Sequence, residues 1–274
     1  MVIVVLNHKG GTGKTTTCVN LGAALAASGH RVLLVDLDPQ ASASLYLGLS
    51  FQELEPSLAA VLFDRLPLTA VRRQTSVPRL ELVTGGLELA HSDLVLAAVP
   101  GREDRLAAAL EPVRNEFDFI LCDCPPSLSL LPVNALQAGD RYLVALTPDY
   151  LALEGLITAL DTVDRMREGL GTGIDLLGIL FTRVRPAGFP LLGRELRYQR
   201  EVIRLVREEY GQQVFQTVIH EDPRLAAAPA YGLTILQYAP GSRGARDYTR
   251  LAAEVAARCN LQTAKRRLET WAAG

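Results

Sequence analysis

Short runs of valine, leucine and isoleucine recur along the chain without a polar alternate face, and longer segments of helical period lie between them. The apolar runs predict strands at Val2–Leu6, Arg31–Asp36, Leu80–Val83, Phe117–Cys122, Arg141–Leu146, Leu176–Phe181 and Gln213–Val218. The periodic segments predict helices at Lys14–Ser28, Glu88–Val99, Glu103–Asn115, Leu130–Ala138, Ala152–Glu168, Arg194–Tyr210 and Arg243–Cys259. Gly29 stands where a left-handed glycine ends the first helix. Strands apolar on both sides belong in a sheet covered on both faces, and their alternation with helices predicts an α/β fold with a doubly wound, mostly parallel sheet. No linker, repeat or low-complexity tract intervenes, so residues 1–274 read as one domain, with 260–274 as a poorly packed tail. The uncharged stretch Leu225–Ser242 contains Pro229, Gly232, Pro240 and Gly241 and reads as a loop-rich surface segment.

In such a sheet, ligands bind at the carboxyl ends of the strands. After the first strand comes Asn7-His8-Lys9-Gly10-Gly11-Thr12-Gly13-Lys14-Thr15-Thr16-Thr17, then a helix. Glycines let successive backbone N–H groups converge on phosphate oxygens, and a helix N-terminus adds partial positive charge. Lys14 supplies a cation to the β/γ-phosphates and the Thr15 hydroxyl a ligand to Mg²⁺. The usual spacing G-x-x-x-x-G-K-[ST] would need glycine where His8 stands; K-G-G-x-G-K-T is present instead, with a second lysine at its start. Lysine is otherwise confined to Lys265 in this arginine-rich chain, so the loop asks for a compact ammonium twice.

Two further strand ends carry carboxylates. Val35-Asp36-Leu37-Asp38-Pro39-Gln40 brings two acids out beside the loop, one suited to a metal-bound water and one to orienting an attacking water. Phe119-Ile120-Leu121-Cys122-Asp123 ends an apolar strand in an acid that would hold Mg²⁺ through water. Alternation places Cys122 and Cys124 on one side of that strand and Asp123 on the other.

These segments resemble the deviant Walker A loop, the D-x-D-P-Q segment and the Asp-Cys-Pro-Pro-Ser segment of the ParA/MinD family. Asp149-Tyr150-Leu151-Ala152-Leu153-Glu154-Gly155, Arg224-Leu225-Ala226-Ala227-Ala228-Pro229 and Tyr238-Ala239-Pro240-Gly241-Ser242-Arg243 extend the resemblance from Val2 to about Ala257, nearest to the short ParA/Soj partition proteins. The resemblance implies a cytoplasmic, nucleoid-associated ATPase with ATP and Mg²⁺ as cofactors. It implies nucleotide contacts from Lys9, Gly10, Gly11, Thr12, Gly13, Lys14, Thr15 and Thr16, and metal contacts from Thr15, Asp36 and Asp123. It gives catalytic roles to Lys9, Lys14 and Asp38, with Lys9 reaching the nucleotide of a partner copy in an ATP-bound homodimer. Where the family commonly has Ile-Pro-Arg-Asn, this chain has Ile219-His220-Glu221-Asp222-Pro223, nearer the MinD text, so Asp222 and Pro223 are the expected adenine-side contacts. A ParB-like centromere-binding protein is the implied stimulating partner.

Composition adds exclusions. A net charge of −2 gives no general affinity for nucleic acid, so DNA needs a local patch. Arg197, Arg200, Arg204 and Arg207 fall within an arc of about 80° on one predicted helix. Leu196, Val202, Ile203, Leu205, Val206 and Tyr210 take the other side, and Arg197–Glu201 and Arg204–Glu208 are spaced to pair. The stripe alone also suits a solvated helix face. With the resemblance, Arg197, Arg200, Arg204, Arg207 and Arg224 become candidate contacts to non-specific double-stranded DNA. Four cysteines without zinc spacing read as buried thiols rather than as an exposed iron–sulfur bridge. The alternative is a MinD-like positioning ATPase on a membrane, but Lys265-Arg266-Arg267-Leu268-Glu269-Thr270-Trp271 has too little apolar surface for stable anchoring.

Overall fold

The computed structural model describes residues 1–127, 129–185 and 193–272; of 193–196 and 261–272 it describes the backbone only. Its strands are β1 (Val2–Leu6), β2 (Val32–Asp36), β3 (Arg72–Gln74), β4 (Leu80–Val83), β5 (Phe119–Asp123), β6 (Arg141–Leu146) and β7 (Asp175–Phe181). Its α-helices are α1 (Lys14–Ala27), α2 (Ser42–Tyr46), α3 (Leu58–Asp64), α4 (Leu68–Val71), α5 (Ser92–Val95), α6 (Arg105–Leu110), α7 (Leu130–Ala138), α8 (Ala152–Leu170), α9 (Gly193–Tyr210), α10 (Pro223–Ala227), α11 (Ile235–Tyr238) and α12 (Arg243–Ala272).

The strands form one sheet in the order β3-β4-β2-β5-β1-β6-β7, with every neighbouring pair parallel except β3–β4. β1, β2, β5 and β6 are buried along their whole length, which is why they read as unbroken apolar runs. Two apolar layers sandwich them. Val4, Val35, Cys122 and Cys124 face α3, α6, α7 and α8 on one side, whereas Ile3, Leu34 and Leu121 face α1 and α12 on the other. The register Asp36↔Asp123 sets those two carboxylates side by side at the carboxyl end of the sheet. α1 ends as expected, with Gly29 at φ +98° just past its cap Ser28.

Four expectations are corrected. Gln213–Val218 is not a strand: it runs beside β7 with an isolated bridge from Val214 to Ile179. The Glu254 carboxylate of α12 accepts the N–H groups of Gln216 and Thr217 (2.9 Å each), so those donors are unavailable to a ladder. Glu88–Val99 is a 3₁₀ turn (Leu87–His91) followed by the short α5, because Leu87, Leu94 and Val95 stay exposed and only Leu89 and Leu96 find the core. Glu103–Asn115 breaks after α6 into 3₁₀ structure (Glu111–Glu116), where Pro112 lacks an N–H. The stretch Leu225–Ser242 contains α11 and most of α10 as well as loop.

Candidate active site

The β1–α1 loop turns through Gly11 (φ +75°) and Gly13 (φ +80°), conformations in which an L side chain is strained. Gly13 caps α1 without any side-chain hydrogen bond, so the first N–H groups of the helix are open to an anion. The loop is fixed from below. Buried Asn7 donates through Nδ2 to the Ala145 carbonyl (2.7 Å) and accepts the Lys9 N–H (2.9 Å). Thr182 at the end of β7 donates its hydroxyl to the Thr12 carbonyl (2.7 Å). Asn7 and Thr182 escaped the sequence reading. Asn7 was visible as part of the loop text, whereas nothing in sequence ties residue 182 to residue 12.

The two loop lysines behave differently. Lys14 is buried and its Nζ donates to the Lys9 carbonyl (3.2 Å). Burial draws its pKa below the ordinary lysine value, and Asp123 opposes that shift. Lys9 is half-exposed, with Nζ 2.5 Å from Asp149 Oδ2, which also accepts the Thr147 hydroxyl (2.8 Å). Burial works to raise the Asp149 pKa, but the bonds from Lys9 and Thr147 outweigh it and hold the carboxyl below its usual range.

Three carboxylates stand at the strand ends in three environments. Asp36 is fully buried: Oδ2 accepts the Ser44 N–H (2.9 Å) and hydroxyl (2.7 Å), and Oδ1 accepts the Asp38 N–H (3.1 Å). Burial still pushes its pKa up to about 6. Gly85 packs so close that a Cβ there would lie 2.5 Å from the Asp38 carbonyl and 2.9 Å from Asp36 Cγ. Asp123 is fully buried; the Thr15 hydroxyl and the Cys18 thiol bear on its carboxylate, but neither oxygen receives a hydrogen bond of full geometry. Burial, then the adjacent Asp36, push its pKa to about 8, with Thr15 and Lys14 opposing. Asp38 is partly exposed, and its Oδ1 accepts the Gln40 N–H (2.9 Å).

A cavity of about 650 Å³ opens above these groups. Gly10, Gly11, Gly13, Lys14, Thr15, Thr16, Asp38, Asp222 and Pro223 line it, together with Thr182, His220 and Tyr248. Lys9, Thr12, Asp36 and Asp123 do not line it. The Asp222 carboxylate is consumed locally: Oδ1 accepts the backbone N–H (3.1 Å) and Nε (2.9 Å) of Arg224, and Oδ2 accepts the Gly244 N–H (3.1 Å). The Asp222 carboxylate is therefore not free to meet a base, and Arg224 is tied to Asp222 while its side chain stays half-exposed.

On α9, Arg197, Arg200, Arg204 and Arg207 are all exposed, with Val202 and Val206 buried beneath. Arg200, Arg204 and Arg207 line a shallow groove with Ile203 and Glu208. Arg204 bonds both Glu201 (2.5 Å) and Glu208 (2.9 Å). Leu205, expected on the packed side, is 40% exposed, and the Leu196 side chain lies outside the described residues. All four cysteines are buried. Among the described residues no helix is long and apolar enough to cross a membrane; the side chains of 265–271 lie outside them.

A glycine loop at the end of a central parallel strand, opening onto a bare helix N-terminus and backed by strand-end acids, defines a P-loop nucleotide hydrolase; the extra Lys9 puts it in the deviant Walker A class. A family profile described as "AAA domain" matches residues 1–176. The chain is 40% identical over 256 residues to the sporulation initiation inhibitor protein Soj of Bacillus subtilis, covering 93% of this chain and 98% of that one. It is 35% identical over 266 residues to the chromosome partitioning protein ParA of Caulobacter vibrioides, covering 96% and 97%. A crystal structure of cobyrinic acid a,c-diamide synthase from Mycobacterium smegmatis, with a bound ATP analogue and magnesium, superposes with a TM-score of 0.79 at 31% identity, covering 92% of each chain. This chain belongs to the ParA/Soj family of partitioning ATPases.

Proposed function

We propose that this protein is an ATP-driven DNA partition switch of the cytoplasm and nucleoid. It dimerises on ATP, binds double-stranded DNA without reading bases, and lets go when a ParB-like partner stimulates hydrolysis. The observation that carries the reading is the pairing of the open glycine loop with Asp123, whose two buried oxygens lack a hydrogen bond of full geometry and face the Thr15 hydroxyl. A buried acceptor left unmet is costly, and a hydrated Mg²⁺ held at Thr15 would satisfy it. Asp36 stands behind Asp123 and supports that position electrostatically, its own oxygens being engaged by Ser44 and Asp38. When bound, Mg²⁺ would neutralise charge on the β- and γ-phosphate oxygens.

The remaining steps fall to the chain itself. Lys14 and the loop N–H groups from Gly10 to Thr16 cradle the phosphates, and the backbone at Asp222 and Pro223 borders the adenine. Asp38 keeps Oδ2 free of the Gln40 bond to orient the water that attacks the γ-phosphate, giving ADP and phosphate. Lys9 exchanges Asp149 for the nucleotide of a partner copy, stabilising charge that develops during transfer. Arg197, Arg200, Arg204, Arg207 and Arg224 meet DNA phosphates, and a dimer doubles their number.

Size-exclusion of Asp38→Ala with ATP, with ADP and without nucleotide, each with and without random-sequence duplex, tests the scheme. The variant should elute as a dimer with ATP alone, co-elute with DNA only in that state, and turn over roughly 10²–10⁴-fold more slowly than wild type. Wild-type turnover would reduce Asp38 to a loop acid, and DNA binding indifferent to nucleotide would detach the arginines from the switch.

A further inference from the structure

Part of the lining of the nucleotide cavity is apolar, built by Ile219, Pro223, Leu225 and Ala226, as suits a flat aromatic ring. Most polar side chains of the same segments are already engaged. Glu221 pairs with Arg183 (3.6 Å) and Arg185 (3.2 Å), the Asp222 carboxylate serves Arg224 and Gly244, and the Tyr248 hydroxyl lies 3.4 Å from that of Thr17. His220 differs. Its Nδ1 lies 2.8 Å from Oδ2 of Asp247 on α12, which also accepts the His220 N–H (3.0 Å). Asp247 is buried, so the ring is held from behind. The opposite ring nitrogen, Nε2, meets no partner among the described residues, and it is not sealed off: the side chain is 19% exposed and lines the cavity. An ionised carboxylate only accepts, so the hydrogen sits on Nδ1, and Nε2 of the neutral ring is an acceptor. The family text Ile-Pro-Arg-Asn has proline where His220 stands, so that acceptor is a property of this chain.

We propose that His220 reads the base of the nucleotide, with Nε2 accepting an N–H of the 6-amino group of adenine. The inference rests on the reading that the base borders Asp222 and Pro223, which closely follow His220 in the chain. Guanine and hypoxanthine carry a carbonyl oxygen at the same place, and two acceptors facing each other repel. A purine without a 6-substituent would leave Nε2 without its bond but bring no repulsion. Affinity should therefore fall from adenine to unsubstituted purine to hypoxanthine. A slot made only of apolar side chains would scarcely separate the three.

Calorimetry of the full chain with Mg²⁺ and the diphosphates of adenosine, purine riboside and inosine tests this without turnover. Wild type should bind the adenosine form roughly three- to tenfold more tightly than the purine riboside form, and the inosine form most weakly. His220→Asn keeps an N–H for Asp247 but places nothing at Nε2. It should lose about that factor on the adenosine form and change less than about twofold on the purine riboside form. His220→Ala should give the same pattern. Equal losses on both forms would mean that His220 only shapes the cavity. Wild-type indifference to the 6-position would mean that no acceptor reads it, and a preference for the inosine form would put the hydrogen on Nε2; each of these overturns the proposal. Lys14→Ala separates this inference from the reading beneath it. Diphosphate binding undiminished in that variant would remove the nucleotide from the loop and take both down, whereas binding that needs Lys14 but ignores the base would overturn the role of His220 alone.

Discussion

The carboxyl edge of the sheet and the outer face of α9 both gather charged side chains, yet they hold them in opposite ways. At the sheet edge most groups are fixed by partners within the fold: Asp36 by Ser44 and Asp38, the loop by Asn7 and Thr182, Lys14 by the Lys9 carbonyl. On α9 the arginines are exposed and Arg204 is occupied by two glutamates of its own helix. Chemistry that moves one phosphoryl group needs atoms held in place, and it tolerates the burial cost carried by Asp123. Contact with a polyanion needs only reach and number, so exposure suffices. The difference teaches that single substitutions should act sharply at the first region and gradually at the second.

Lys14→Ala should show the largest effect. It removes the buried ammonium from the phosphate cradle, and hydrogen bonds involving charged groups contribute about 1.5–3 kcal/mol each, so ATP affinity should fall on the order of 100-fold in calorimetry. A loss of only two- to threefold would place the sheet edge among the gradual regions.

Asp123→Asn comes next. The folded protein raises this carboxyl to about 8, so it holds a proton that the unfolded chain releases near the ordinary aspartate value. In metal-free buffer the group therefore subtracts stability progressively as pH rises from about 4 to 8, and Asp36, raised to about 6, acts with the same sign. Asparagine should remove that loss: the metal-free variant should melt above wild type at pH 8, with the gap narrowing as pH falls. Mg²⁺ with ADP should stabilise wild type and do less for the variant. Parallel melting curves against pH would show that Asp123 does not carry a buried charge.

The smallest effects belong to α9. Arg200→Ala should weaken DNA binding by the ATP-loaded Asp38→Ala protein a few-fold, equally on two unrelated duplexes, and flatten the salt slope by about one unit. Arg204→Ala should do less, because its charge is already shared with Glu201 and Glu208. Equal losses at the two positions would mean the ion pairs open on DNA, and preference for one duplex would point to base readout.

Much of this contrast was legible in the sequence. β1, β2, β5 and β6 read correctly because a strand buried on both faces must be apolar throughout. The loop was legible as the turn between β1 and α1 because its glycines stand at fixed spacing between an apolar run and a helical segment. β3 was missed because Arg72-Arg73-Gln74 is a three-residue edge strand with no apolar signal. α10 was missed although Asp222-Pro223 is a helix-start signal, with Asp222 capping and proline in the first turn. The strand expected at Gln213–Val218 was apolar enough in sequence, but its fate was decided by a carboxylate almost forty positions later. Long-range capture of this sort, like the Thr182–Thr12 tether, leaves no local trace.

That carboxylate has a further consequence. A seven-stranded open sheet has two rims, each a template on which another chain can crystallise into fibrils. One rim is short and carries arginine. The other is β7, screened by the segment from Val214 to His220, which Glu254 pins through Gln216 and Thr217 while Arg258 bonds the Val214 carbonyl. Cutting the chain before Glu254 would leave the phosphate loop and all three strand-end acids in place, yet should free this screen and bare the rim. The resulting protein is expected to be lost to insoluble cross-β material, measurable by thioflavin fluorescence, so the middle turns of α12 would act as a guard against self-templating.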